Sequence, residues 1–256
     1  MESLEVKKLP EIKSCNILGV NVNILTLDET IEYVCKNLEN MKGKYICVSN
    51  VHTIVTAYDN DEYLKVQNSA AMVLPDGKPL SIVSKMRGFD EARRVTGPDL
   101  MGEIFKISNE LGYTHFFYGS TDDTLKKLKK EIKKKYPNIN IAGMYSPPFR
   151  LQSKEEDMEV IKMINKTKAD FLWVGLGAPK QELWMANHEN KIDSVMIGVG
   201  AGFDYYAENI KRAPKWMQDA SLEWLYRLLQ DPKRLFKRYF VTNSKFLFYI
   251  LRNMKG

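Results

Sequence analysis

Apolar, β-branched runs recur along the chain at Tyr45–Ser49, Ala71–Pro75, Thr114–Gly119, Ile139–Tyr145, Phe171–Leu176 and Val195–Val199, and longer stretches with helical spacing lie between most of them. Short continuous apolar runs predict strands buried on both faces, and strands alternating with amphipathic helices predict βαβ units. The expected fold class is therefore α/β, a mostly parallel sheet flanked by helices. Ahead of the first run, Asn16–Leu25 reads as an extra hairpin or edge strand and Leu27–Asn40 as a helix. From about Tyr205 the pattern changes to two helical segments dense in Arg and aromatic residues, broken at Asp231-Pro232, where proline suits a new helix start. Residues 1–204 are expected to form the core and residues 205–256 a small basic helical appendage. There is no internal repeat and no low-complexity linker.

Charge sharpens this division. From Lys211 to Gly256 eleven Lys or Arg face three acids, so a chain of net charge +6 is slightly acidic elsewhere. Basic charge gathered in one terminal segment implies a polyanionic partner: an anionic membrane, a diphosphate or nucleic acid. The lysine-rich run Lys126–Lys135 adds no nucleic-acid signal, because Leu125, Leu128 and Ile132 keep helical spacing and no aromatic residues interleave for base stacking. Cys15, Cys35 and Cys47 have neither an even count nor Cys-x-x-Cys spacing, so neither a disulfide framework nor a zinc site is expected, and a reducing compartment fits. Met1–Lys13 lacks the apolar core of a signal peptide, and the apolar run Phe246–Leu251 is far shorter than the ~20 residues needed to span a bilayer. With 256 residues, 44% hydrophobic and 27% charged, the chain has the composition of a soluble globular protein.

In an open parallel sheet, ligands gather beyond the carboxyl ends of the strands. The end of the Phe171 run carries Gly175-Leu176-Gly177-Ala178-Pro179-Lys180-Gln181-Glu182, a strand that stops at two glycines and restarts as a helix. Gly175 and Gly177 let the backbone approach a ligand, Pro179 suits a first helical turn, and the free amides there favour a phosphate. Lys180, Gln181 and Glu182 add a cation, an amide and a carboxylate. The alternative is an ordinary strand-to-helix turn. The fold is Rossmann-like, yet a dinucleotide reading fails, since the third glycine and the expected acidic residue are missing.

Other strand ends supply Ser49, Asn50, His52 and Thr53, then Asp76-Gly77, then the glycine-rich Gly198–Asp204. Asp76-Gly77 reads either as a turn or as a catalytic carboxylate, with His52 the competing base. Asp59-Asn60-Asp61 has the form of a metal-binding Asp-x-Asp, but it lies between helical patterns, where Asp61 would be a helix N-cap. Gly97-Pro98-Asp99 reads as a helix start, with Arg94 and Thr96 just before it near enough to touch a pyrophosphate. No other cluster has metal-ligand spacing, so no metal and no cofactor is expected. A diphosphate ligand would then be balanced by side-chain cations, and the candidates are Arg212, Arg227, Arg234 and Arg238, with Lys211.

The glycine turn through Glu182, Asp76-Gly77, Gly97-Pro98-Asp99-Leu100 and Lys211-Arg212-Ala213-Pro214 together resemble the WecG/TagA/CpsF glycosyltransferase family, over most of the chain from about Ile17 to Tyr239. The resemblance implies transfer of a sugar, N-acetylmannosamine above all, from a UDP-sugar to a polyprenyl-diphosphate-linked N-acetylglucosamine in bacterial cell-surface polymer synthesis of the teichoic acid linkage-unit type. It implies Asp76 as general base, and Arg227 is expected as a second catalytic residue. Asn50, Thr53, Thr96, Gly175, Gly177, Lys180, Gln181, Glu182, Arg212, Arg234 and Arg238 are then expected to bind substrate. The implied partners are the UDP-sugar donor, the lipid-linked acceptor and an anionic membrane surface at the inner face of the cell membrane. A homo-oligomer is compatible with the sequence, and nucleic acid is not an expected partner. The competing class is a non-catalytic basic module, which explains the terminal charge but leaves the polar strand ends without a purpose.

Overall fold

In the computed structural model the described residues are 9–220 and 222–253. Met1–Lys8 of the charged N-terminal stretch, Ser221 and residues 254–256, with Lys255, lie outside them. The chain opens with an antiparallel hairpin, β1 (Ser14–Ile17) and β2 (Val20–Asn23), turning at Leu18-Gly19. Its buried positions alternate with exposed ones, as a strand with one covered face requires. The Asn23 side chain accepts from the Val73 amide at 2.6 Å and ties the hairpin to the main sheet.

That sheet holds six parallel strands: β3 (Tyr45–Ser49), β4 (Met72–Pro75), β5 (Thr114–Gly119), β6 (Asn140–Tyr145), β7 (Phe171–Gly175) and β8 (Val195–Gly198), in the order β4-β3-β8-β7-β5-β6. The predicted strands stand at the predicted places to within one residue. Every residue of β3, β4 and β8 is buried. This matches their unbroken apolar runs, because helices cover both faces. One face carries the hairpin, the helices Val51–Tyr58, Asp61–Ser69, Lys154–Lys166 and Lys180–Asn187, and the end of the C-terminal helix Pro232–Asn253. The other carries Leu27–Lys36, Gly97–Leu111, Asp122–Lys135 and Gly202–Tyr206 around Phe105, Phe117 and Trp173.

Three local expectations are corrected. The helix expected over Leu27–Asn40 breaks at Asn37 into Leu27–Lys36 and Leu38–Met41. Asn60, not Asp61, caps the helix Asp61–Ser69, its side chain accepting from the Tyr63 amide at 2.9 Å. Pro179 precedes the helix Lys180–Asn187 instead of forming its first turn; the Ala178-Pro179 bond is cis, and the turn closes through the Gln181 amide on the Gly177 carbonyl.

The helix Gly202–Tyr206 runs across the expected boundary at Tyr205. The C-terminal helix packs along Val51–Tyr58, burying Phe246 and Ile250 in the core, while Lys245 and the Tyr249 hydroxyl bond the Asp59 carboxylate at 2.6 and 2.9 Å. Asp59 of the Asp-x-Asp triplet therefore fastens the C-terminal helix, a role the sequence reading did not give it.

Candidate active site

Asp76 follows the last residue of β4, with its amide donating to the Ser49 carbonyl of β3 at 2.7 Å. Beside it the Val95 amide donates to the Pro75 carbonyl at 2.9 Å, which brings the segment Arg94–Asp99 to the same sheet edge. Thr96 is buried and caps the helix Gly97–Leu111, accepting from the Asp99 amide at 3.2 Å and donating to the Asp99 carboxylate at 2.6 Å. Arg212 closes a fork on Asp99 at 2.6 and 2.8 Å and reaches Glu223 at 3.4 Å, and Arg94 donates to Glu223 at 2.6 Å. Two arginines and two carboxylates thus form one charge-balanced net over the end of β4.

Asp76 is the additional charge in this place. It is half-buried, and burial, reinforced by Glu223 and Asp99 and opposed by Arg94 and Arg212, pushes its carboxyl up to about 7. A general base works best with its pKa near the working pH, so the site holds a carboxylate suited to accepting a hydroxyl proton at neutrality. Burial also opposes the charge on Asp99, yet the Arg212 fork and the Thr96 hydroxyl hold that carboxyl below its ordinary value. The two neighbouring aspartates are thereby pushed in opposite directions.

The glycine turn departs from the expectation. Gly175 does not leave room for a ligand: a Cβ there would stand 2.6 Å from the Phe203 ring, so the space belongs to core packing. Gly177 has φ +78° and nothing near its absent side chain, which leaves it the open position of the turn. Gln181 is buried, and its carbonyl oxygen accepts from the Gly177 and Gly200 amides at 3.2 and 3.0 Å, spending donors that the sequence offered to a phosphate. Glu182 is fully buried, accepting from the Gln181 amide group at 2.8 Å and from the Tyr63 hydroxyl at 3.0 Å. The line continues through Gln67, which donates to Tyr63 at 3.0 Å and accepts from Ser49 at 2.7 Å. Gln181 and Glu182 therefore brace the ends of β3, β7 and β8 from behind, while Lys180 is exposed at the turn.

Asn50 and Thr53 form a capping box on the helix Val51–Tyr58, so both side chains are engaged locally. Of the appendage cations, Arg234 pairs with Asp231 at 2.5 Å. Arg238 lies over the Tyr239 ring with its Nε buried and unpartnered. His52 has a buried, unpartnered Nδ1, and burial together with the positive charge of Arg238 lowers its pKa. A depressed pKa with no orienting partner disfavours His52 as the base. The Arg227 side chain makes no hydrogen bond or ion pair among the described residues and acts electrostatically on Tyr205 near Asp76 and Glu223.

Sequence reasoning missed Glu223, counted there only as one of three acids in a basic segment, and treated Asp99 as a cap alone. Only the pairing of each with an arginine distant in sequence reveals the net.

An α/β chain that gathers a neutral-range carboxylate, arginines and an open glycine turn at one sheet edge has the layout of a group-transfer enzyme for an anionic substrate. The profile of the glycosyl transferase WecG/TagA/CpsF family matches residues 15–256. The chain is 32% identical over 243 residues, 94% of its length and 91% of the relative's, to the N-acetylglucosaminyldiphosphoundecaprenol N-acetyl-beta-D-mannosaminyltransferase of Bacillus subtilis (strain 168). It is 30% identical over 235 residues, 91% of each chain, to the protein of the same name from Staphylococcus aureus (strain MW2). The chain belongs to the WecG/TagA/CpsF family and is a glycosyltransferase. The non-catalytic basic-module reading is set aside.

Proposed function

We propose that this enzyme transfers N-acetylmannosamine from a UDP-sugar to N-acetylglucosamine carried on a polyprenyl diphosphate, by a single inverting displacement that uses no metal ion. The observation that carries the reading is Asp76, a carboxyl poised at about 7 on the strand edge of a chain from this family. Its carboxylate takes the proton of the acceptor hydroxyl as that oxygen bonds to the donor's anomeric carbon. The bond from this carbon to the diphosphate breaks on the opposite face, and UDP leaves with the electron pair. The Arg212 fork is occupied by Asp99 and Arg234 pairs with Asp231, so of the candidate cations Arg227, Arg238, Lys211 and Lys180 would meet the diphosphates. The relatives' names specify the lipid-linked acceptor and the transfer of an N-acetyl-β-D-mannosaminyl group, which supports the acceptor and the sugar moved. The test is transfer from UDP-N-acetylmannosamine to a synthetic polyprenyl-diphosphate N-acetylglucosamine in the presence of EDTA. Undiminished β-linked product is expected; loss of transfer that only a divalent cation restores would overturn metal independence.

The same reading places the enzyme at the inner face of the membrane, held by the appendage. Among the described residues no helix is long and apolar enough to cross a membrane. Trp216, Trp224, Leu229, Phe236 and Phe240 are nevertheless exposed on a segment rich in Lys and Arg, the composition of interfacial helices. Truncation after Tyr205 is a poor test, because it would strip Phe246 and Ile250 from the core. The exposed pair is the better target: Phe236→Ser with Phe240→Ser should leave the melting temperature unchanged and weaken binding to anionic vesicles roughly tenfold. Unchanged vesicle binding would remove those aromatics from the interface.

A further inference from the structure

The two most exposed large apolar side chains among the described residues, Phe149 at 92% and Leu151 at 96%, lie outside the appendage, in the short loop that leaves β6. A single bare leucine is ordinary on a protein surface, but two neighbouring tips this bare on a stiff loop are not. The stiffness is visible at each end. The Ser146 hydroxyl donates to the Ser120 carbonyl at 2.8 Å, and the Tyr118 hydroxyl donates to the Gln152 side chain at 3.1 Å. Between them Pro147 and Pro148 restrict the backbone, and Arg150 closes a fork on Glu156 at 2.7 and 2.6 Å, in the first turn of the helix Lys154–Lys166.

Because all six strands run parallel, this loop emerges at the same sheet edge as Asp76, with β6 at one border of the sheet and β4 at the other. Over the β4 border lies Glu223, bonded to Arg94, and the exposed Trp224 follows it in the chain. The catalytic edge thus carries bare apolar groups at both ends. We propose that the Ser146–Gln152 loop is a second membrane-insertion point, which dips Phe149 and Leu151 into the lipid interface and seats the catalytic edge across the bilayer surface. The inference rests on the membrane reading given above. A lipid surface suits this loop better than a second copy of the chain, since one Phe and one Leu bury at most a few hundred Å², well below the roughly 1,000 Å² of a stable protein interface. The loop's contribution is hydrophobic above all: its one cation, Arg150, is tied to Glu156, and the turn that follows sets Glu155, Glu156 and Asp157 against Lys154, so the segment carries no net positive charge for anionic headgroups. It therefore differs from the appendage in its dependence on salt and lipid charge.

The experiment uses the full chain with Phe149→Ser and Leu151→Ser together, alongside the parent. Both are measured by co-sedimentation with neutral phosphatidylcholine vesicles and with vesicles containing anionic phosphatidylglycerol, at low and high salt. The double variant should melt with the parent and partition about tenfold less onto both vesicle types, with a ratio that salt does not alter. Its transfer to a long-chain acceptor in vesicles should fall, while transfer to a short-chain, water-soluble acceptor stays at the parent value. Equal partitioning of variant and parent overturns the loop's role and leaves the appendage reading standing. A loss confined to anionic vesicles overturns the hydrophobic mechanism. A parent that binds no vesicles overturns both readings. A lipid-free parent that sediments as a dimer beside a monomeric variant assigns the loop to self-association instead.

Discussion

Replacing Asp76 by asparagine is expected to lower turnover by roughly 10²–10⁴-fold, the usual contribution of a positioned base, in a protein that still folds. The pH profile distinguishes this from a loss of binding. The base must be ionised to accept a proton, so the parent's kcat/KM should rise with pH and level off above about 7, where the Asp76 carboxyl titrates. Asp76→Asn should lack that limb. A second, opposite effect follows for stability. In the unfolded chain an aspartate titrates near ~3.9, whereas folded Asp76 holds its proton up to about 7. Between those values the native state binds more protons than the unfolded one, so stability falls as pH rises through that window. Below it the parent and Asp76→Asn should melt alike, and at pH 8 the variant should melt higher. A folded Asp76→Asn variant with near-normal turnover would take Asp76 out of the mechanism. A variant melting lower at pH 8 would show that the carboxylate stabilises the fold and is not held there at a cost.

The second large effect concerns Glu182, which the sequence offers to the nucleotide and the structure buries. Replacing it by alanine should cost about 3–5 kcal/mol, because the Tyr63 hydroxyl and the Gln181 amide group would lose their acceptor in a dry site. Glutamine is not a benign substitute. Both Glu182 oxygens accept hydrogen bonds, and Gln181 cannot reverse its amide without abandoning the Gly177 and Gly200 amides. Glu182→Gln keeps one acceptor oxygen and turns its NH₂ toward either the Gln181 NH₂ or the Tyr63 hydroxyl, so one of the two donors loses its acceptor, and it should cost about 1–3 kcal/mol. Burial raises the Glu182 pKa while the Gln181 and Tyr63 hydrogen bonds oppose that rise. Chemical denaturation reads both costs. If Glu182→Ala unfolds at the parent's midpoint and weakens only UDP-sugar binding, the brace assignment fails and the nucleotide contact is restored.

The central strands were legible because β3, β4 and β8 are short apolar runs buried throughout. The Asp76 edge was legible because a charged residue directly after such a run marks where the strand leaves the core, at the end of a parallel sheet where ligands gather. Glu182 was misread for a definite reason: a carboxylate just past a glycine turn looks solvent-facing in one dimension. The partners that permit its burial, Tyr63 and Gln67, come from a helix more than a hundred residues earlier. The partner of Arg212 was hidden in the same way, since its forked carboxylate, Asp99, precedes it by 113 residues. Gly175 carried a real signal of close approach, but the approaching group is the Phe203 ring and not a ligand. Local periodicity reports which face of an element is buried, and it says nothing of which distant side chain meets it there.

The C-terminal helix behaves as a lever. Its far half is clamped to Val51–Tyr58 by Phe246, Ile250 and the bonds from Lys245 and Tyr249 to Asp59. Its near half holds the exposed Phe236 and Phe240 and, between them, Arg238, whose charge acts on His52 at the mouth of β3. A helix of 22 residues is a stiff rod about 33 Å long. A displacement of the two phenylalanines would pivot on the Asp59 clamp and carry Arg238, which lies between them on the same helix, along with it. A flexible tail bearing the same charges would absorb that displacement before it reached the strand ends.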